Sequence, residues 1–235
     1  MKNDRSIGKA FRAAFPYTIP VMTGYLFLGL AYGVLMGVNG FSFVYPMCTA
    51  IFVFGGSLEY LIITLLLSTF APLQALLVAL MIQARHLFYG IAMLDRYKGT
   101  GLKKLYLIFA LSDETFAVNS SAEIPDDVDK GDFYFCVSLM DQLYWVTGTT
   151  LGGLLGAVLP FHTEGLDFVM TAMFAVIFLD RWLKDKHHSP ALIGIFSSIL
   201  CLKIFGSESF LIPTMLCILC LLTLMRGRIE KENAE

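Results

Sequence analysis

Long apolar runs, separated by short polar connections, fill almost the whole chain. A helix needs about 20 apolar residues to cross the hydrocarbon layer of a bilayer. Runs of that kind lie near 16–38, 43–68, 73–94, 105–120, 134–160, 166–183, 190–206 and 208–225. The pattern predicts an all-α integral membrane protein: a polytopic helical bundle of six to eight transmembrane segments in a single membrane-embedded domain, 1–235. Residues 1–14 read as an amphipathic cytoplasmic N-terminus, 121–133 as an acidic solvated loop and 226–235 as a cytoplasmic tail.

Two segments are irregular. The second is interrupted by Gly55-Gly56-Ser57-Leu58-Glu59, and the fourth is short and carries Ser112-Asp113-Glu114-Thr115 near its middle. Broken or re-entrant helices are expected at both. If all eight segments cross from a cytoplasmic N-terminus, the loop with Arg96, Lys98, Lys103 and Lys104 lands outside, against the tendency of basic loops to stay inside. If both irregular segments are re-entrant, six crossings remain and that loop becomes cytoplasmic. Under either count the Arg181–Lys186 loop and the Arg226–Lys231 tail are inside. Lys2, Arg5, Lys9 and Arg12 precede a run, Phe15–Val38, that is too long for a signal-peptide core and has no convincing cleavage site, so it reads as an uncleaved first span.

Composition agrees with this class. Hydrophobic residues make up 57% of the chain and charged residues only 15%, too few to cover a water-soluble surface. A net charge of −2 gives no footprint for nucleic acid. Cys48, Cys136, Cys201, Cys217 and Cys220 all sit in apolar stretches without zinc-ligand spacing, so no metal, disulfide framework or other cofactor is expected. Gly29, Gly33 and Gly37 recur every four residues in the first span, as do Gly148, Gly152 and Gly156 in the fifth. Such stripes let helix backbones approach closely, most simply within this chain.

Charge at bilayer depth is costly and usually faces a protein interior or a wet cavity. This chain places Glu59, Arg85, Asp113, Glu114, Asp141 and Lys203 there, with His86 as a titratable neighbour. Any one acid and base pair serves equally well to hold helices together, but four acids against two bases point to a solute or proton pathway. Asp141 shares a helix face with Tyr144, Trp145, Gly148 and Gly152, and so faces inward. Arg85 and Tyr89 share a face, with His86 turned about 100° away. Arg85 is placed either to pair with Asp113 or Glu59 or to clamp a substrate carboxylate. Half-helix N-termini at the breaks favour a carboxylate, and freed carbonyls favour an ammonium. A zwitterionic amino acid offers both charges. Phe54, Tyr60, Phe88, Tyr89 and Phe116 are candidates for an apolar side-chain pocket. Tyr32, Tyr45 and Trp182 are assigned to interfacial aromatic belts.

The order Phe15-Pro16, Gly56-Ser57-x-Glu59-Tyr60, Ala84-Arg85-His86-x-x-Tyr89-Gly90, Asp113-Glu114-Thr115-Phe116-Ala117 and Tyr144-Trp145-x-x-Gly148 resembles the AzlC family over roughly residues 10 to 225. The family supplies the large subunit of bacterial branched-chain amino acid exporters. The resemblance implies proton-coupled export of valine, leucine, isoleucine and also methionine across the bacterial inner membrane, together with a small AzlD-like membrane subunit. The polar residues at the two breaks and on the helices around them give the candidate substrate-binding or proton-coupling set: Ser57, Glu59, Arg85, His86, Tyr89, Asp113, Glu114, Thr115, Asp141 and Trp145. Glu59 stands where the family often has glutamine and Gln83 where it often has asparagine, which bears on coupling and substrate choice. Competing readings are a transporter of another small zwitterion, a non-transporting scaffold subunit and an intramembrane hydrolase. For the last, the chain carries neither GxSxG nor HExxH.

Overall fold

A computed structural model describes residues 2–69, 71–158, 175, 178–179, 182–183 and 188–232. The expected segment 166–183 and the Arg181–Lys186 loop lie mostly outside the described residues, as do the side chains from Arg226 onward. The described helices are α1 (Lys2–Val38), α2 (Val44–Phe52), α3 (Gly56–Leu67), α4 (Pro72–Ile82), α5 (Ala84–Ala92), α6 (Lys103–Phe109), α7 (Asp113–Ser121), α8 (Lys130–Val158), α9 (Ser189–Ser209) and α10 (Leu211–Glu232). The chain divides into two compact units, Met1–Val169 and Met170–Glu235.

The first unit is built on α1 and α8, which run parallel. Gly29, Gly33 and Gly37 face Gly148–Thr149, Thr149–Gly153 and Gly156 in ascending order. Hydrogen at these Cα positions is required by space: a methyl on Gly33 would collide with the carbonyl of Thr149 and the amide of Gly153, and one on Gly152 with the carbonyl of Leu30. The two glycine stripes therefore close on each other within the chain, and main chains meet where side chains normally would.

Between these two helices the chain makes two hairpins that enter from opposite faces. At the face where α1 begins, Lys9 pairs with Asp127 at 3.2 Å, Tyr17 OH donates to the carbonyl of Glu123, and Lys103 pairs with Asp132. From there α6 descends to Ser112, which lies beside Tyr25. α7 then returns, because Asn119 Nδ2 donates to Tyr97 OH back at the starting face. α6 and α7 have seven and nine residues, about 10 and 14 Å of helix, and neither spans the ~30 Å hydrocarbon layer.

α2 enters from the opposite face. It passes Gly153 at Phe43 and Pro46, reaches Tyr32 at Thr49 (2.9 Å) and packs Phe54 against Tyr25. α3 then climbs back, because Tyr60 returns to the ring of Tyr32 and donates to the carbonyl of Leu28 at 2.8 Å. Phe54 makes the reversal with a positive φ of 47°. Segments 43–68 and 105–120 are thus re-entrant, and α1, α4–α5 and α8 cross. α4 and α5 form one crossing interrupted only at Gln83, where the backbone departs from helical angles (φ −88°, ψ 1°).

Three local expectations change. α8 begins at Lys130, inside the stretch assigned to the acidic loop, because Asp129 Oδ1 accepts the amide of Asp132 at 2.8 Å and caps the helix. α1 runs without a break from the expected amphipathic arm into the span. Tyr32 is not an interfacial aromatic: it is fully buried against Tyr60 and Trp145. In the second unit, α9 bends at Gly206 (φ 73°) and Lys203 is exposed. Cys217 Sγ lies 3.8 Å from Ser197 Oγ between α9 and α10, and all five cysteines are free.

Gly33→Ala is expected to lower the thermal midpoint in detergent, at the ~1–3 kcal/mol typical of overpacking. Gly24→Ala, whose methyl meets nothing within 4 Å, is expected to leave it unchanged. In a background without native cysteines, Gly99→Cys and Glu123→Cys should react with an impermeant maleimide from one face of the membrane and Asn39→Cys from the other. Labelling of positions 99 and 123 from opposite faces would contradict the re-entrant α6–α7.

Candidate functional site

The two hairpin tips meet at mid-depth, where each leaves backbone groups that a bilayer cannot satisfy. α3 and α7 both start at the tips, so two helix N-termini converge on one region. Ser112 caps α7: its Oγ accepts the amide of Thr115 at 3.1 Å. At the other tip the amide of Gly55 donates to Glu59 Oε1 at 3.1 Å.

Side chains from the crossing helices tie the tips together. Arg85 on α5 donates from Nη2 to Ser57 Oγ at 2.8 Å and places Nη1 3.2 Å from Asp113 Oδ2, so one guanidinium joins α3 to α7. Gln142 on α8 does the same for the outer arms: its Oε1 accepts from Tyr106 OH on α6 at 2.7 Å, and its Nε2 donates to the carbonyl of Ile51 on α2 at 3.1 Å. Tyr25 on α1 donates to Glu114 Oε2 at 2.6 Å and lies 2.7 Å from Ser112 Oγ. From Ser112 a hydroxyl chain continues through Thr115 Oγ1 (2.9 Å) to Asp141 Oδ2 (2.8 Å). One turn further along α8, Trp145 Nε1 lies 3.0 Å from both oxygens of Glu59.

All ten residues singled out in the sequence fall in this region. Ser57, Arg85 and Asp113 form one polar chain, and Glu114, Thr115 and Asp141 a second through Tyr25 and Ser112, the two adjoining at the start of α7. Glu59 and Trp145 form an adjoining buried pair. Tyr89 stacks on Phe116 at 4.5 Å, and His86 lies edge-on to Tyr89. Between Asp113 and Glu59 as partners for Arg85, the geometry selects Asp113. Of the apolar candidates, Phe54 and Tyr60 are buried at the site, whereas Phe88 turns outward and is exposed.

Among the described residues, eight buried side-chain polar atoms have no protein partner, and five belong here: Gln83 Oε1, Arg85 Nε, His86 Nδ1, Asp113 Oδ1 and Asp141 Oδ1. Unpaired buried polar atoms cost a few kcal/mol each and are normally rare. Their concentration in one place, with a cationic donor and two carboxylate acceptors among them, suits a ligand that carries both charges.

Tyr25, Tyr106 and Gln142 were not anticipated, and Gln83 was noted only as a departure from the family. A signal for the arrangement exists in the sequence: Phe54-x-x-Ser57-x-Glu59 recurs as Phe109-x-x-Ser112-x-Glu114. Each copy follows one crossing and forms one hairpin tip, and the two enter from opposite faces, as in an inverted repeat. Each tip serine bonds a side chain from the other copy's crossing, Ser57 with Arg85 and Ser112 with Tyr25.

Fold and site together define a polytopic helical membrane protein with a polar centre formed by two opposed re-entrant hairpins. The AzlC protein family model matches residues 20–159. The chain is 53% identical, over 98% of its length and 91% of the relative's, to the branched-chain amino acid transport protein AzlC of Bacillus subtilis. It is 44% identical over 98% of its length to an uncharacterized membrane protein of Haemophilus influenzae, covering 95% of that chain. An uncharacterized membrane protein of Helicobacter pylori is 36% identical over 94% of this chain and 97% of its own. The chain belongs to the AzlC family. No solved structure matches it.

Arg85→Ala is expected to lower the thermal midpoint, because it leaves Asp113 without its cation. The double variant Arg85→Ala/Asp113→Ala should lose less than the sum of the single variants, with a coupling of about 0.5–3 kcal/mol. Strict additivity would mean that the pair does not hold the tips together.

Proposed function

We propose that this chain is the large subunit of a two-component secondary transporter that exports neutral, branched-chain amino acids across a bacterial inner membrane in exchange for protons. The observation that carries the reading is the group of unpartnered buried atoms of both signs where the hairpin tips meet. Arg85 Nε and the N-termini of α3 and α7 would receive the substrate carboxylate. Asp113 Oδ1 and Asp141 Oδ1 would receive its ammonium, and Phe54, Tyr60, Tyr89 and Phe116 would border the aliphatic side chain. Ser57, Thr115, Glu114 and His86 would hold these groups in place. The name of the Bacillus subtilis relative supports the substrate class.

Charge distribution supports a cytoplasmic N-terminus. The face where α1 begins carries Lys9, Arg12, Arg96, Lys98, Lys103, Lys104 and Lys130, whereas the opposite turns, 39–43 and 68–71, carry no charge. An apolar plug that includes Ala14, Met93, Leu107, Phe133 and Val137 lies between the basic face and the tips. Alternating access would then open one hairpin while the other stays packed. Export, proton exchange and the small AzlD-like partner come from the family resemblance.

The test is efflux from preloaded vesicles carrying this chain, with and without the small subunit, at two imposed pH gradients. Leucine, isoleucine, valine and methionine are expected to leave, faster against an opposing proton gradient. Asp113→Asn and Arg85→Ala are expected to reduce efflux at least about tenfold while the protein still inserts, the size of effect seen when a buried charged contact is lost. Unchanged efflux in both variants would remove the site, and efflux only from the partner alone would make this chain a scaffold.

A further inference from the structure

Glu59 differs from the other carboxylates at the hairpin tips in that an indole N–H and a backbone N–H donate to it. Its side chain is fully buried, at 0% exposure, as is that of Asp141, and among the described residues no ion pair reaches Glu59, Asp141 or Glu114. Asp113 has Arg85, Asp141 accepts from Thr115, and Glu114 accepts from Tyr25. The groups facing Glu59 are Trp145 on α8, Tyr32 on α1, Thr49 on α2 and Tyr60 on its own helix, with the Gln83 side chain against Gly55; Asp141 lies one turn before Trp145, and the Arg85 guanidinium is committed to Ser57 and Asp113.

Hydrogen-bond chemistry makes this environment sensitive to a proton. An indole N–H and a backbone amide N–H can only donate, and a carboxylate anion can only accept, so the anion satisfies Trp145 Nε1 and the Gly55 amide together. A proton on Oε2 removes the charge and takes that oxygen out of the Trp145 contact, leaving Oε1 alone to accept both N–H groups. The hydroxyl of Thr49 on α2, which donates to the carbonyl of Pro46 at 3.0 Å, also lies beside the carboxyl. The anion therefore ties α3 to α8 more strongly than the neutral acid does, because a hydrogen bond to a charged acceptor is about twice as strong as one between neutral groups.

We propose that in this chain, with an acid where the family often has an amide, Glu59 carries a coupled proton, and that the Glu59–Trp145 contact is the lock it loosens. The step is a single protonation: a carboxylate takes one proton from the side of higher proton activity and returns it to the other, with no other bond made or broken. Ser57, two residues away on the same half-helix, holds Arg85. Movement of α3 on protonation is thereby transmitted to the guanidinium proposed to receive substrate, while Trp145 and Asp141 join both hairpins to α8. This assignment rests on the transport reading above and separates two roles within it: substrate charges at Arg85, Asp113 and Asp141, and the proton at Glu59.

The experiment uses the full chain, with its small subunit if wild type requires it, in proteoliposomes with radiolabelled leucine. Exchange at equal pH and transport driven by a pH gradient are measured side by side. Glu59→Gln, which keeps the shape and cannot ionise, is expected to retain exchange within about twofold and to lose about tenfold or more of gradient-driven transport, within the usual range for coupling between two sites. Glu59→Asp should keep a response to the gradient. Gradient-driven transport by Glu59→Gln at the wild-type level, or equal loss of both activities in a folded variant, overturns the proposal. If Glu59→Gln does not fold, Trp145→Phe decides: gradient-driven transport should fall more than exchange, and equal effects on both overturn the lock. Absence of leucine exchange in wild type would instead overturn the transport reading itself.

Discussion

Arg85 holds together two helix breaks that a bilayer could not otherwise tolerate. Its guanidinium reaches Ser57 on the hairpin that enters from one face and Asp113 on the hairpin that enters from the other. Irregular backbone at membrane depth persists only where protein, water or ligand satisfies it. Here Ser112, Glu59, Tyr25 and Gln142 do most of that work, and Arg85 closes the arrangement across the middle. Removing the positive charge would strand an acid in a low-dielectric setting and free two tips at once.

The rigid part of the unit is the α1–α8 pair. Glycine on both helices brings the main chains into contact, so the side chains that project from them, Tyr25 and Tyr32 on one helix and Asp141, Gln142 and Trp145 on the other, are fixed relative to each other. The hairpins join this frame through separate side-chain hydrogen bonds, Tyr60–Leu28 and Trp145–Glu59 for α3 and Tyr25–Glu114 and Thr115–Asp141 for α7. α4–α5 is attached more loosely still, since none of the described residues in its apolar window is fully buried. A rigid frame, two short inverted hairpins and a lightly held crossing that carries Arg85 make a device in which local changes at the tips are cheap and changes in the frame are not.

The membrane class, the two breaks and the polar residues at them were legible because each obeys a local rule: apolar run length, glycine at a break, charge at depth. Asp141 was placed inward correctly because helical spacing puts it on the glycine face. Other features depend on long-range contact. Tyr32 reads as interfacial from its position near the end of an apolar run, yet it is buried because α2 and α3 fold back beside α1. Tyr106 and Gln142 look unremarkable in sequence and meet only because both hairpins stop at the level of one α8 turn. The repeated Phe-x-x-Ser-x-Glu was visible, but six positions with three identities acquire meaning only once the two tips are seen to enter from opposite faces.

The central claim is that opposed tips hold both charges of a zwitterion at once. It is tested most directly by saturable binding of labelled leucine to the purified complex, competed with leucinamide, which lacks the carboxylate, and with 4-methylpentanoate, which lacks the ammonium. The account requires unlabelled leucine to displace the label and neither single-charge analogue to do so at comparable concentration. Displacement by either analogue as effective as that by leucine would contradict it.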